Sequence, residues 1–301
     1  MNTLKRFSKR VLIILLLFLF FKAFSQNIFI GNKSNFPIKI TYKNHIVKLN
    51  EGEKKIIIDK EISYLNIEYD SGQKLINKYV PILLNSNESL DMNIINSNDQ
   101  TIEFKGDKAE LHNLVVNQQH YILYKNVGNY QDILNKNTND KQMINFSEFV
   151  LADYLIKIKN LNASPLGTED KTYKRIEEYV INDWVTSLYL VITGKRTLDL
   201  QRKELILYYY KKYIEKHIQN YNCEYKVQYD IISYLIPYIN QLGISLPKYE
   251  VKVSSEEDSI NQYLPHNCQR FYFLKKYNYF NHINSQEQEF YKNILKEKFN
   301  N

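Results

Sequence analysis

The sequence predicts an α+β protein in which an N-terminal antiparallel β-sandwich-like domain, residues 26–105, precedes an all-α helical bundle, residues 106–301. Three observations support this prediction. Apolar residues recur with a period of two in the first part and with a period near 3.6 in the second. Turn residues separate the early apolar runs every 8–12 residues or so, a spacing typical of antiparallel sandwiches. The later helical patterns are long and joined by short loops, as in antiparallel bundles.

The first 25 residues predict a Sec signal peptide. They carry five basic residues and no acidic one, and an apolar run covers residues 11–21. Small residues, Ala23 and Ser25, occupy the −3 and −1 positions of a cleavage site ahead of Gln26. The run is shorter than the roughly 20 residues that a membrane span needs, so cleavage near Ser25 is favoured over a retained anchor.

The net charge of +7 belongs mainly to this leader, because removing it leaves 35 basic against 33 acidic residues. A nearly neutral chain exerts little long-range attraction on nucleic acid, so we expect no nucleic-acid partner. No later apolar stretch approaches bilayer length. We therefore expect an extracytoplasmic protein, periplasmic or secreted, that has no membrane span once the signal peptide is cleaved.

Eight short β-strands are predicted in the sandwich-like domain. Their residues are rich in β-branched and aromatic types, and turn residues at 50–52, 70–72 and 85–87 separate several of them. The predicted strands are 27–31, 38–43, 46–49, 55–58, 64–69, 74–84, 90–95 and 101–104.

The helical region is predicted to begin after Gly106, where Asp107 could cap a helix with Glu110 as its capping-box partner. Apolar residues of period 3.6 and flanking Gly or Pro residues mark the helices that follow. These are expected at 146–161, 169–192, 199–221 and 224–242, with two further starts at Ser255 and Ser285.

No catalytic residue, metal site or cofactor is predicted. The eight glycines are too scattered for a phosphate-binding loop or a nucleophile elbow, and the chain has no Cys-x-x-Cys motif. His112 and His120 lie eight residues apart, without the glutamate of a His-Glu-x-x-His motif, so both are expected at the surface or at a boundary.

Two segments carry a family resemblance: residues 79–92, YVPILLNSNESLDM, and residues 102–113, IEFKGDKAELHN. They resemble the end of the N-terminal β-rich domain in envelope thioredoxin-like thiol–disulfide oxidoreductases of the cytochrome-maturation type. The resemblance covers residues 27–125 and extends loosely to a helical linker. In that family, redox activity belongs to a C-terminal module with Cys-x-x-Cys. The resemblance therefore implies the scaffold of such a protein without its thioredoxin module.

The chain has two cysteines, Cys223 and Cys268, which lie 45 residues apart. A structural disulfide, a pair of buried free thiols and thiol chemistry all stay open. In an oxidising compartment the disulfide is favoured, and it would contribute about 2–4 kcal/mol to stability. A zinc site that adds His217 and His266 is disfavoured, because zinc frameworks use pairs of closely spaced ligands.

Aromatic residues cluster at 208–213 and 271–280, interleaved with lysines. Helical spacing assigns most of them to a bundle core. Some tyrosines could instead present their rings to a protein or glycan of the cell envelope. The candidates for binding are Tyr209, Tyr213, Tyr272 and Tyr279.

Two functional hypotheses follow. The first is a non-catalytic cell-envelope protein that acts as a binding or interaction module, through its exposed aromatics or through a cleft between its domains. The alternative is a thiol–disulfide redox-associated protein that acts with a separate thioredoxin-like partner. The alternative requires Cys223 and Cys268 to cycle between oxidised and reduced forms.

We expect the mature protein to begin at Gln26, because the residues before it fit a signal-peptidase site. The test is the intact mass and N-terminal sequence of the protein recovered from the cell envelope. Replacing Ala23 with Phe, which removes the small −3 side chain, should block processing. A full-length product in the envelope fraction of wild-type cells would instead indicate a retained anchor.

Overall fold

The computed structural model describes residues 25–43, 45–70, 75–95, 102–117, 126–136, 140–161, 171–194, 198–251 and 254–299. The chain divides into two compact units, Met1–His120 and Tyr121–Asn301. The first holds two four-stranded sheets and the second is helical, so the predicted α+β class is confirmed. The predicted signal peptide lies outside the described residues except for Ser25, and His120 lies outside them as well.

The N-terminal unit contains eight strands among its described residues. They are β1 (Gln26–Lys33), β2 (Ile38–Tyr42), β3 (His45–Leu49), β4 (Lys54–Asp59), β5 (Tyr64–Asp70), β6 (Leu75–Pro81), β7 (Ser89–Ile95) and β8 (Ile102–Gly106). These strands form two sheets with the orders β4-β1-β7-β8 and β3-β2-β5-β6. Neighbouring strands are antiparallel, apart from the parallel pair β1 and β7, in which Asn27 lies opposite Ser89.

One hydrophobic core is shared by the two sheets. Alternate side chains of a strand point to opposite faces, which is why a period of two in the sequence marks these strands. The inward side chains are almost fully buried, and each contributes roughly 1.5–3 kcal/mol to folding. They include Ile28, Ile30, Leu90, Met92 and Phe104 from the first sheet and Ile38, Ile40, Leu65, Ile67 and Val80 from the second.

Helix α1 (Ala109–Val116) packs against β8 and belongs to the N-terminal unit. The units therefore divide after His120, whereas the sequence placed the change of domain after residue 105. The predicted capping box is wrong: Lys108 occupies the N-cap position and makes no side-chain cap. The Asp107 carboxylate instead accepts a hydrogen bond of 2.7 Å from the Ser89 amide at the start of β7.

His112 on α1 is fully buried, so the prediction that it lies at the surface or at a boundary is wrong. Its Nε2 accepts a hydrogen bond from the Leu83 amide at 3.0 Å, and its Nδ1 lies 2.8 Å from the Lys108 carbonyl oxygen. These partners assign the proton to Nδ1 in a neutral ring. Burial lowers the pKa of His112 to about 4, aided by the charge of Lys108.

The C-terminal unit is built from helices whose buried residues follow the 3.6 period. The segment predicted as one helix at 199–221 is not a continuous α-helix. The α-helix ends at Tyr209, a π-helical turn follows at Tyr210–Ile214, and a short 3₁₀ turn follows at Ile218–Asn220. The helices are α2 (Val127–Asn135), α3 (Asp140–Leu161), α4 (Lys171–Ile192), α5 (Leu200–Tyr209), α6 (Lys226–Leu235), α7 (Ile239–Leu242), α8 (Glu256–Asn261), α9 (His266–His282) and α10 (Glu287–Phe299).

Among the residues that the structure describes, no helix has both the length and the apolar character needed to cross a membrane.

We expect the His112 ring to make stability depend on pH between about 6.5 and 4. The unfolded state binds the proton more readily than the folded state, so the free energy of unfolding falls as the pH is lowered through this window. The loss approaches roughly 3 kcal/mol at the acid end. Urea unfolding followed by circular dichroism from pH 7 to pH 4 measures it.

The His112→Gln variant should lack this part of the pH profile, because a glutamine amide does not titrate. His282→Gln, at an exposed position, is the matched control and should retain it. Parallel profiles for wild type and His112→Gln would show that the buried ring does not govern acid sensitivity.

Candidate functional site

A pocket of about 340 Å³ lies within the helical unit, between α6, α8 and α9. We call it the α9 pocket. Most of its lining is apolar, and Lys275 and Lys276 are its charged residues. It is lined by Tyr229, Ser233, Ile236, Pro237, Ile260, Leu264, Tyr272, Lys275, Lys276 and Tyr279.

One face of α9 supplies the aromatic and basic residues of the pocket. Tyr272, Lys276 and Tyr279 follow one another at intervals of three or four, which places them on the same side of a helix. Tyr272 is 7 % exposed, whereas Tyr279 is 59 % exposed. This face therefore runs from the protein interior to solvent, and both tyrosines are among the four predicted from the sequence.

The opposite wall comes from α6 and the turn after it. Tyr229, Ser233 and Ile236 recur at helical spacing, and the Tyr229 ring lies 5.8 Å from the ring of Phe271 on α9. This aromatic contact joins the two helices beside the pocket.

The third wall comes from α8, which supplies Ile260, and from Leu264 beyond its C-terminal end. The predicted start of α8 is confirmed, because the Ser255 hydroxyl accepts a hydrogen bond of 3.1 Å from the Asp258 amide. The cap fixes where the helix begins, and so fixes the position of Ile260 one turn later.

A disulfide joins Cys223 to Cys268, with a Cα–Cα distance of 5.1 Å. Cys223 lies just before α6, and Cys268 lies in the first turn of α9. The bond thus cross-links the N-terminal ends of the two helices that form facing walls of the pocket. Cys223 is 4 % exposed and Cys268 is fully buried.

Cysteines that are bonded to each other do not supply zinc with thiolates. Within the described ranges, no group of three or more histidine, cysteine or acidic residues is placed to hold a metal ion.

Two polar groups of the α9 pocket differ in their surroundings. The Tyr272 hydroxyl is buried beside the Glu257 carboxylate. Burial, and then the negative charge of Glu257, holds the pKa of Tyr272 well above its usual range, so the hydroxyl keeps its proton. Lys275 is exposed and forms no ion pair with a described residue.

The neighbouring acidic residue, Glu257, already has partners in the protein. Lys276 Nζ lies 3.9 Å from Glu257 Oε1 and 5.7 Å from the centre of the Tyr272 ring. Glu257 also accepts a hydrogen bond from the Tyr291 hydroxyl of α10. Glu257 does not line the pocket, so the charged side chains that do are both basic.

The other two predicted binding tyrosines do not line the α9 pocket. Tyr209 is fully buried, its hydroxyl lies 2.7 Å from the Ser147 hydroxyl, and its ring packs edge-on against Trp184. Tyr213 is half-buried and packs on the same tryptophan. The Tyr209 ring is therefore not available to a ligand.

Glu148 on α3 was not singled out from the sequence. Its Oε1 accepts hydrogen bonds from the hydroxyls of Tyr208 at 2.5 Å and Tyr213 at 2.9 Å, and from Lys212. Burial acts to raise the pKa of Glu148, but these donors outweigh it and hold the pKa below its usual range. The carboxylate anchors the segment after α5 to α3. More than fifty residues separate it from its partners, so no local pattern reveals it.

An acidic pair between α4 and α6 was also missed. Burial, and then the charge of Asp230, raises the pKa of Asp183 to about 7, while Lys226 opposes that rise. Lys226 Nζ lies 2.6 Å from each carboxylate oxygen of Asp230. None of the three residues lines the α9 pocket.

Comparisons with protein-family models, with curated proteins and with solved structures find no match to this chain. The resemblance to envelope oxidoreductases stays a prediction. The function is therefore argued from the α9 pocket and the disulfide beside it.

We expect the Cys223→Ser/Cys268→Ser double variant to lose about 2–4 kcal/mol of unfolding free energy, because the 45-residue loop is no longer closed in the unfolded state. Urea unfolding followed by the fluorescence of Trp184, the single tryptophan, measures the loss. The control is the wild-type protein unfolded in the presence of a reductant, which should lose the same unfolding free energy. Equal stability of the oxidised and double-variant proteins would show that the bond does not constrain the chain.

Proposed function

We propose that this protein is a non-catalytic binding protein of the cell envelope and that the α9 pocket takes its ligand. One observation carries the proposal: an apolar pocket whose two facing helices are cross-linked by a buried disulfide. Small-molecule sites are mostly apolar concavities of about 300–1,000 Å³ with a few placed polar groups. At about 340 Å³, the α9 pocket falls at the compact end of that range.

The extracytoplasmic location rests on two independent features. Disulfides persist in oxidising compartments and are rare in the cytosol. The pairing of Cys223 with Cys268 therefore supports the location that the predicted signal peptide implies.

The lining of the pocket favours an apolar ligand group over a glycan. A sugar ring presents several hydroxyls, and each one loses free energy if it is buried without a hydrogen-bond partner. Ile236, Pro237, Ile260 and Leu264 offer no side-chain partner. Of the envelope partners expected from the sequence, one that inserts an apolar group fits this pocket best.

The buried sulfurs count against the redox alternative. Thiol–disulfide exchange requires a thiolate to reach one sulfur of the bond. Both cysteines are almost fully buried, so a thioredoxin-like partner has no direct approach to them in the folded protein. A structural role, in which the disulfide holds α6 and α9 together, fits this burial better than a redox role.

Binding can be tested with N-phenyl-1-naphthylamine, an uncharged aromatic probe whose fluorescence rises in apolar surroundings. We expect the wild-type protein to bind the probe and Ser233→Trp to lose most of that binding, because the indole fills the pocket from α6. Asn240→Trp, which adds the same side chain at an exposed position outside the lining, is the matched control.

Equal probe binding by wild type and Ser233→Trp would place the binding elsewhere and overturn the proposal. Near-identical circular dichroism spectra of the two tryptophan variants establish that the helical unit stays folded in both.

A further inference from the structure

The edge strand β4 of the N-terminal unit carries two exposed isoleucines. Ile56 and Ile58 are 51 % and 55 % exposed, whereas Ile57 between them is buried in the core of the two sheets. Phe29 of β1, which is 38 % exposed, lies opposite Ile56 in the register of the two strands. Residues directly opposite each other in an antiparallel pair share a face, so Phe29 extends this apolar stripe over the outer face of the first sheet.

The main-chain groups of the same two isoleucines point to the open edge. Along a strand, successive residues direct their N–H and C=O groups to opposite sides. Asn27 of β1 bonds toward β7, because its amide donates to the Glu88 carbonyl oxygen at 3.1 Å. Its register partner in β4, Ile58, therefore directs its main-chain groups away from β1, and so does Ile56 two residues earlier. Within the described ranges, no hydrogen bond covers these groups.

The other edge of this sheet, β8, is covered by its own chain. The Asn117 side chain accepts a hydrogen bond from the Ile102 amide at 3.2 Å and donates one to the Ile102 carbonyl oxygen at 2.8 Å. Helix α1 packs against the same strand. An uncovered strand edge is a template for pairing with another strand. Of the two edges of the first sheet, β4 is the one that can accept a partner strand.

The sequence of β4 is complementary to itself in one antiparallel register. Pairing two copies of the strand about Ile57 sets Ile56 of each copy opposite Ile58 of the other. The same register sets Lys55 of each copy opposite Asp59 of the other. Apolar and oppositely charged cross-strand pairs both stabilise a sheet. The open main-chain groups of Ile56 and Ile58 would then bond one another.

The charged pair is accessible to a second copy. Lys55 is exposed, and 22 % of the Asp59 side chain stays exposed beside Lys43, whose Nζ lies 2.7 Å from Asp59 Oδ1. A lysine on an edge strand normally opposes pairing with another strand. In the register about Ile57, each lysine instead meets a carboxylate.

Other pairings of edge strands match less well. Two β4 strands paired about Ile56 would set Lys54 of each copy opposite Ile58 of the other. Two copies of β3, the edge strand of the second sheet, paired about its central residue would set Ile46 opposite Lys48. Neither arrangement gives a lysine an acidic partner.

We infer that two copies of this chain associate through β4, in the register centred on Ile57, and so join their first sheets into one eight-stranded sheet. A two-fold axis relates the copies, which is the commonest symmetry of protein dimers. The association buries the Ile56 and Ile58 side chains of both copies and removes the open edge. It does not rest on the α9 pocket, which lies in the other unit.

Sedimentation equilibrium of the mature protein over a range of concentrations tests the dimer, and the mass should rise from one chain to two. Ile56→Lys should raise the dissociation constant about tenfold, because it replaces an isoleucine in both symmetry-related pairs. Ile46→Lys, at an isoleucine of β3 that is 49 % exposed, is the matched control and should dimerise as the wild type does. Circular dichroism checks that both variants fold.

Charge exchange tests the register. Lys55→Glu places two carboxylates opposite each other, and Asp59→Lys places two ammonium groups opposite each other, so each variant alone should stay a monomer. An equal mixture of the two variants should form a heterodimer, because both charged pairs then join opposite signs. Lys48→Glu on β3 is the control for Lys55→Glu and should still dimerise alone.

A single-chain mass at every concentration would overturn the inference. So would a dimer that Ile56→Lys and Ile46→Lys weaken equally, or folded charge variants that do not associate when they are mixed. If Ile56→Lys fails to fold, the mixing experiment decides. Binding of the naphthylamine probe to the α9 pocket is measured separately, so failure of the dimer leaves the proposed function standing.

Discussion

The bond between Cys223 and Cys268 is the constraint on which the pocket of the helical unit depends. It joins the chain just before α6 to the first turn of α9, and Tyr272 follows Cys268 by one helical turn. A single cross-link at the N-terminal ends therefore fixes the separation of the two facing walls. Ligand sites gain affinity when their walls are held before binding, because less conformational entropy is lost on association.

The helical unit places two kinds of polar group in different settings. Glu148 meets its donors within the protein and so fastens α3 to the segment after α5. Tyr272 is also buried, and its burial, followed by the negative charge of Glu257, keeps the pKa of its hydroxyl well above the usual range. In both settings the state of the polar group depends on a residue of another helix.

The sequence predicts the strands well, because burial on one face of a sheet imposes a period of two that can be read locally. All eight predicted strands are observed, with ends shifted by a few residues. The helices are predicted less completely from the 3.6 period: α2 was not predicted, and the α-helix expected at 199–221 ends at Tyr209. Roles that depend on residues far away in the sequence cannot be predicted from a local pattern. Tyr209 and Tyr272 occur in similar aromatic runs, yet tertiary packing makes Tyr209 a core residue and Tyr272 part of a pocket. His112 was misplaced for the same reason, since its partner Leu83 is 29 residues away.

The parallel pairing of β1 with β7 has a consequence for the order of folding. β1 lies between β4 and β7, and Asn27 is opposite Ser89, so the first strand of the sandwich gains its second neighbour only after most of the unit has been made. Pairings between distant residues slow folding, because the loop between them must be closed before any contact forms. The first sheet of the N-terminal unit is therefore completed late, only after β7 is available to pair with β1.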